Sequence, residues 1–393
     1  MKILIIHNHY QQAGGENIIV DAQVELLQKY GNEIFLYQRD NKEIENYSLI
    51  KKFFFFFSTM FSFRTVRDVR NLIRKERPDI AHVHNVFPLI SPSIYWVLTK
   101  EKLPFVQTVH NFRFLCPNGL FYRQGQICEL CKMGHYGNAV RWKCYRNSFS
   151  LSLLYATTIW LHRKIGSFDL ASLFIIVNPF TRNKILESTL TNEEKIRFIP
   201  NFFQPSEMDE SAGHEAGIVY LGRLSAEKGV GDLLACLKLV QKITFTIAGT
   251  GSEESHLKEI AKLYPERVCF TGFVSGKEKS RLINQALAVV LPSKCYEQLP
   301  LVALEAMSAG KPLIVPDMAG LGSLVKKDET GLLYKPGNVA DLAEKIQRLV
   351  NNPELAIRMG ENAKKEYEII YSPEVYYRKL MALNQEILCA KSN

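Results

Sequence analysis

The 393 residues are enough for two domains, each with its own core, and the composition is ordinary for a soluble α/β protein. No stretch of about twenty apolar residues is free of charges, which excludes a membrane-spanning helix. Lys plus Arg number 49 against 40 Asp plus Glu, a surplus that suits nucleic acid, anionic lipid or phosphorylated substrates without choosing among them, and that also serves plain solubility.

Met1 to Asn8 reads as a buried parallel strand. It has neither the length nor the cleavage site of a secretory leader, so the expected location is the cytoplasm. Gly14 and Gly15 follow, then Glu16 and a helical pattern from Ile18 to Tyr30 closed by Gly31. Adjacent glycines before a helix let backbone N–H groups approach a phosphate closely, though many strand-to-helix turns carry glycine for other reasons. Further apolar strands are expected at Glu33 to Tyr37, Asp79 to His84, Phe105 to His110 and Leu173 to Asn178, with room for helices between them. That alternation argues for a parallel sheet with crossover helices.

Asn46 to Asn71 interrupts the pattern. Lys51 and Lys52 precede five consecutive phenylalanines, Phe53 to Phe57, followed by Met60, Phe61, Phe63, Arg64, Arg67 and Arg70. Aromatics beside cations fit a segment lying on an anionic membrane surface, and also a core helix with a basic outer face. Five adjacent phenylalanines cannot all point to one side of a helix. His110 stands at the end of its strand, where open α/β sheets place ligands, although a histidine there is often purely structural. Next comes a polar, glycine-containing loop with four cysteines, Cys116, Cys128, Cys131 and Cys144, spaced C-x11-C-x2-C-x12-C. Such a set can hold a structural zinc in a loop with little core of its own; unlinked thiols and a redox pair are the alternatives.

Residues 203–216 read as an interdomain linker, after which the alternation restarts. Strands are expected at Gly217 to Gly222, Ile243 to Ala248, Arg267 to Thr271, Ala288 to Leu291 and Pro312 to Pro316. The first is followed by G-R-L-S-A-E-K-G, whose Arg223 and Lys228 can hold a diphosphate through charge-assisted hydrogen bonds. After the fourth comes E-Q-L-P-L-V-A-L-E-A-M-S-A-G, from Glu297 to Gly310. Pro300 suits the first position of a helix, whose free N–H groups near Leu301 and Val302 can bind an anion. Glu297 and Glu305 frame that turn and suit sugar hydroxyls, or simply complement the helix dipole. Ala340 to Val350, Pro353 to Ile370 and Pro373 to Leu388 read as helices.

The Glu297–Gly310 and Gly222–Gly229 segments together resemble the E-x7-E and G-R-x-x-x-E-K-G markers of the retaining glycosyltransferases of family 4. The resemblance runs over most of the chain and is firmest from Gly222 to Gly310. It implies the GT-B fold: two Rossmann-like α/β domains with parallel sheets facing across a cleft. The first would span 1–202, completed by 373–393, and present the acceptor; the second would span 217–372 and bind a UDP- or GDP-linked sugar. By the same resemblance Arg223 and Lys228 neutralise the departing diphosphate, Glu297 holds sugar hydroxyls and Glu305 the ribose. Phe273 and Val274 lie along the base, Gly14 and Gly15 meet the donor phosphate, and His110 contacts the sugar. Asn111 follows His110 where the family often has Asp, and an amide cannot take a proton. No catalytic metal or other cofactor is expected, since a donor phosphate oxygen would accept the acceptor's proton and no D-x-D pair stands where a metal would need one. The expected acceptor is a glycan or a polyprenyl-linked glycan at the inner face of the membrane, in cell-surface polysaccharide synthesis. No nucleic acid is expected. A nucleotide-sugar epimerase and a non-catalytic binding protein of the same fold are the alternatives.

Overall fold

The computed structural model describes residues 1–11, 14–205 and 217–392. Most of the expected linker, 206–216, lies outside them. The chain divides into two compact units, one of Met1–Phe121, Glu129–Pro200 and Pro373–Asn393, the other of Tyr122–Cys128 and Asn201–Ser372.

In the first unit the strands are β1 (Lys2–His9), β2 (Glu33–Asp40), β3 (Ile80–Val83) and β4 (Phe105–Val109). The short pair β5 (Tyr122–Arg123) and β6 (Gln126–Ile127) follows in sequence but groups with the second unit. β7 (Leu173–Ile176) and β8 (Ile196–Phe198) complete the first sheet. Its order is β2-β1-β3-β4-β7-β8, all parallel. The helices are α1 (Gly15–Lys29), α2 (Leu49–Met60), α3 (Phe63–Glu76), α4 (Ile94–Lys100), α5 (Gly137–Arg141), α6 (Phe149–Lys164) and α7 (Pro179–Glu187). Ile3 to Ile6 are wholly buried, because a parallel strand flanked by helices on both faces has no solvent side.

The second sheet holds β9 (Gly217–Leu221), β10 (Phe245–Ala248), β11 (Val268–Gly272), β12 (Ala286–Val290), β13 (Leu313–Pro316) and β14 (Gly331–Tyr334). Its order is β11-β10-β9-β12-β13-β14, again parallel. Its helices are α8 (Val230–Ala235), α9 (Glu254–Ala261), α10 (Gly276–Gln285), α11 (Leu301–Ser308), α12 (Ala319–Leu324), α13 (Val339–Asn351) and α14 (Pro353–Ile370). α11 lies so close to α14 that a Cβ on Gly360 would stand 1.9 Å from the carbonyl oxygen of Gly310. α15 (Pro373–Ser392) returns to the first unit. There Tyr377 stacks on Tyr30 at 3.9 Å, and Asn384 Oδ1 lies 2.9 Å from His82 Nε2.

β8 and β14 were not expected from the pattern: three and four residues at a sheet edge are too short to show a period. Pro300 is the residue capping α11, with φ −64° and ψ 130°, rather than its first helical residue. In each sheet the chain order reverses once, between β1 and β3 and between β9 and β12. Doubly wound sheets bind ligands beyond the strand ends at such a switch point.

Candidate active site

In the second unit the switch point is built from the turns after β9 and β12. Gly229 joins them: at φ +70° its hydrogen faces Pro292, and a Cβ there would stand 2.0 Å from that carbonyl oxygen. The N–H of Lys294 donates to the carbonyl of Glu227 at 2.8 Å, so the two turns are stitched along their backbones. Gly249, at φ +138°, brings the turn after β10 against Gly222 in the same way, with a Cβ at 1.8 Å from its oxygen. Only glycine tolerates such approach and conformation.

This stitching sets Lys228 Nζ 2.5 Å from Glu297 Oε1, a carboxylate oxygen that also accepts from Ser293 Oγ at 2.7 Å. Burial alone would pull the Lys228 pKa down, but Glu297 outweighs it and the net shift is upward. Burial would likewise raise the Glu297 pKa, and Lys228 reverses it to a net lowering. Both groups are therefore ionised at neutral pH. One of the three ammonium donors serves Glu297, which leaves the others for a ligand. Arg223 is more exposed and reaches Glu227 Oε1 at 3.3 Å. Glu305 is buried on α11 and paired with Lys279 of α10 at 2.5 Å. Leu301 and Val302 form the first turn of α11, capped by no side chain. Phe273 is exposed and Val274 buried beyond β11. Sequence reasoning missed Ser293 and Lys279; neither stands in a motif, and each becomes visible only through the acid it touches.

In the first unit a cavity at the switch point is lined by Glu16, His84, Thr108, His110, Asn111 and Arg113, among others. His110 Nε2 lies 2.9 Å from His84 Nδ1. Burial, with His7 adding to it, pulls the His110 pKa down to about 3, so the ring is neutral and acts through hydrogen bonds rather than charge. Asn111 Nδ2 donates to Tyr10 Oη at 3.1 Å and Glu16 Oε2 at 3.2 Å. Tyr10 donates to the same Glu16 oxygen at 2.9 Å. Gly14 caps α1 at φ −137°, and a Cβ on it would meet nothing within 4 Å, so the protein's own packing does not require glycine there. Gly15 opens the helix and is exposed.

The cysteine loop is where a structural zinc, unlinked thiols or a redox pair are the expected readings. Among the described residues no group of three or more His, Cys, Asp or Glu is placed to hold a metal ion. None of Cys116, Cys128, Cys131 and Cys144 is in a disulfide. Cys116 donates to Asn118 Oδ1 at 3.0 Å, and burial pushes its thiol up to about 11. Cys128 belongs to the segment that groups with the second unit. The loop also has aromatic and hydrogen-bonded contacts: Tyr136 donates to the carbonyl of Phe114 at 2.9 Å, and Phe114 packs edge-on to Phe168.

The phenylalanine-rich segment is α2, packed on α6. Ile50, Phe54 and Phe57 fall on one exposed stripe at helical spacing, with Phe61 and Phe63 exposed beyond the helix end, while Phe55 and Phe56 are only half-exposed. The arginines expected beside it are paired: Arg64 with Glu43 at 3.3 Å, Arg67 with Asp68 at 2.9 Å and Arg70 with Glu101 at 3.3 Å. Among the described residues no helix is long and apolar enough to cross a membrane.

Residues 13–207 match the family model described as Glycosyltransferase Family 4, and 207–366 the one described as Glycosyl transferases group 1. Among curated relatives, an alpha-D-kanosaminyltransferase of Streptomyces kanamyceticus is 34% identical over 43% of this chain and 45% of its own length. A glycogen synthase of Mycobacterium tuberculosis is 36% identical over 38% of this chain and 37% of its own length, so the chain spans less than half of these relatives. An uncharacterized glycosyltransferase of Methanocaldococcus jannaschii is 25% identical over 93% of both chains. Among solved structures, a sucrose-phosphate synthase from Thermosynechococcus elongatus aligns with a TM-score of 0.71 and 20% identity over 99% of both chains. Anabaena HepE, crystallised with UDP and glucose, aligns with a TM-score of 0.68 and 17% identity over 98% of this chain and 100% of its own.

Proposed function

Because the chain belongs to the family 4 glycosyltransferases, whose two parallel-sheet units of GT-B type it has, we propose that it moves a sugar from a nucleoside-diphosphate donor to a glycan or lipid-linked acceptor with retention at the anomeric carbon. The observation that carries this reading is the Lys228–Glu297 pair held beside the uncapped first turn of α11. As the glycosidic bond to the diphosphate breaks, negative charge grows on the leaving phosphate. Preformed donors that need not reorganise are the strongest means of stabilising it. The remaining N–H groups of Lys228, the guanidinium of Arg223 and the N–H groups of Leu301 and Val302 supply them. Glu297 holds the sugar hydroxyls, Glu305 the ribose, and Phe273 and Val274 flank the base. Gly14 and Gly15 leave room for a phosphate, and the neutral His110 orients the reacting group. Positive charge comes from side chains throughout, so the chemistry needs no catalytic metal.

Relatives crystallised with UDP support a uridine donor. The acceptor belongs to cell-surface polysaccharide synthesis, and the exposed stripe of α2 rests on the lipid that carries it. With its arginines already paired, that contact is mainly apolar, with Lys51 adding attraction to anionic headgroups.

Incubation with a panel of UDP- and GDP-sugars, followed by NMR of the product, tests the reading. One donor should be consumed with its anomeric configuration kept. An inverted product, or no binding of any donor, refutes it.

A further inference from the structure

The second polar cluster, in the first unit, holds a cation that has no ion-pair partner among the described residues. Arg113 is 8% exposed, and its Nε and Nη1 are buried without a hydrogen-bond partner. Its guanidinium sits over the rings of Tyr10, Tyr145 and Tyr155, 5.7, 5.6 and 5.2 Å from their centroids. Tyr145 and Tyr155 are themselves stacked at 4.1 Å and joined through their hydroxyls at 3.1 Å. The side chain is thus boxed by aromatic faces, yet among the described residues it has no carboxylate within ion-pair distance. Asn111 fixes its backbone, accepting from the N–H of Arg113 at 2.9 Å.

The nearest acid does not fill the gap. Glu16 lines the same cavity, but its Oε2 serves Tyr10 and Asn111. Burial raises its pKa to about 7, so near neutrality much of it is uncharged. His84, which lines the same cavity, also has its Nε2 buried without a partner. An arginine cannot shed its proton, and a buried cation is disfavoured unless it is paired. Its N–H geometry suits oxyanions above other ligands.

We propose that this cavity is an anion subsite for the acceptor, in which a phosphate or carboxylate carried by the acceptor takes the unpartnered N–H groups of Arg113. The proposal rests on the reading of the chain as a transferase with an acceptor, and it adds that the acceptor is anionic near the hydroxyl that receives the sugar. Phosphate would come from a lipid-linked or sugar phosphate, carboxylate from a uronic acid. Glu16, by holding a proton near pH 7, leaves room for that second negative group.

Binding by the full chain separates the sources. Glucose 1-phosphate, glucuronate, inorganic phosphate and neutral glucose are titrated by calorimetry against wild type, Arg113→Met, Arg113→Lys and Lys228→Ala. At least one anion should bind, glucose should not, and Arg113→Met should weaken the anion about tenfold or more, as expected for a charged hydrogen bond. Arg113→Lys should fall between, and Lys228→Ala should keep this binding while losing donor turnover. Preference for glucose 1-phosphate or for glucuronate identifies the source. Without anion, Arg113→Met should melt no lower than wild type, because it removes an unpaired charge and keeps the bulk among the rings. A sharp drop in melting temperature would make Arg113 structural and overturn the proposal. So would absence of any anion binding, or anion binding lost in Lys228→Ala but kept in Arg113→Met. The donor reading fails separately, through the donor panel alone.

Discussion

Replacing Lys228 by Met and Glu297 by Gln, singly and together, separates what their pair does for the fold from what it does for catalysis. Both side chains are largely buried, 20% and 14% exposed, with 2.5 Å between nitrogen and oxygen. Removing one partner of such a pair leaves a desolvated charge and typically costs about 3–5 kcal/mol. Here the lower end is expected, about 3 kcal/mol for Lys228→Met, because Glu297 can take up a proton once nothing opposes its burial and still accepts from Ser293. In the double variant no charge is left behind, so the loss should be smaller than the sum of the singles by about 2 kcal/mol or more. Urea unfolding measures all four proteins. Donor turnover should tell a different story: each single variant falls at least about a hundredfold, and the double stays down, since the ligand has lost its cation whatever the stability. Strictly additive stability losses would refute the pairing. A double variant with turnover near wild type would reduce the pair to a structural contact.

The buried histidines make the fold acid-sensitive. Burial lowers His7 and His82 from 6.5 to about 4. Their contribution is therefore complete above about pH 6.5 and is lost as the pH falls toward 4. Between about pH 7.5 and pH 5 each should remove about 2 kcal/mol, read as a falling urea midpoint; a flat profile would contradict the burial. Glu16 acts in the opposite sense, since its pKa rises from 4.5 to about 7, so stability declines as pH climbs between those values and Glu16→Gln should abolish that part. Gly360→Ala should cost at least about 2 kcal/mol by forcing α14 off Gly310, whereas Gly231→Ala, with open space around it inside α8, should gain about 0.5 kcal/mol. Donor turnover should survive exhaustive chelation, and its loss would place a metal in the chemistry. Phe54→Glu with Phe57→Glu should abolish sedimentation with phosphatidylglycerol vesicles, and unchanged binding would remove α2 from the membrane reading.

The sheets were legible because ten of their strands are apolar runs bounded by turn residues, and parallel strands announce themselves that way. The second-unit turns were legible because their chemistry is written locally: Arg223 and Lys228 share one turn, and Glu297 opens another. The loop cysteines show the limit of the same method. Spacing permits a metal cluster but does not compel one, and it gives no sign of the Tyr136–Phe114 hydrogen bond or the Phe114–Phe168 contact. The α2 segment was legible only in part. Helical spacing separates Phe54 and Phe57 from Phe55 and Phe56, but nothing in the sequence says that Glu43, Asp68 and Glu101 will neutralise the neighbouring arginines.

Arg113 was illegible for the same reason that makes it informative. It follows a strand end in a run of aromatics, F-R-F, and looks there like one more surface cation. The three tyrosines that enclose it come from positions 10, 145 and 155, which no sequence pattern joins. The two switch points thus differ in kind. At the second, every charge has a partner before a ligand arrives: Lys228 has Glu297 and Glu305 has Lys279, so binding there exchanges one ion pair for others and can be finely balanced. At the first, a cation has none among the described residues, beside an acid that is half protonated near neutral pH. An arrangement of that kind gains more from an arriving oxyanion than a preformed pair can. Selectivity for a charged acceptor would then come from the arginine, while the paired site remains free to release its product.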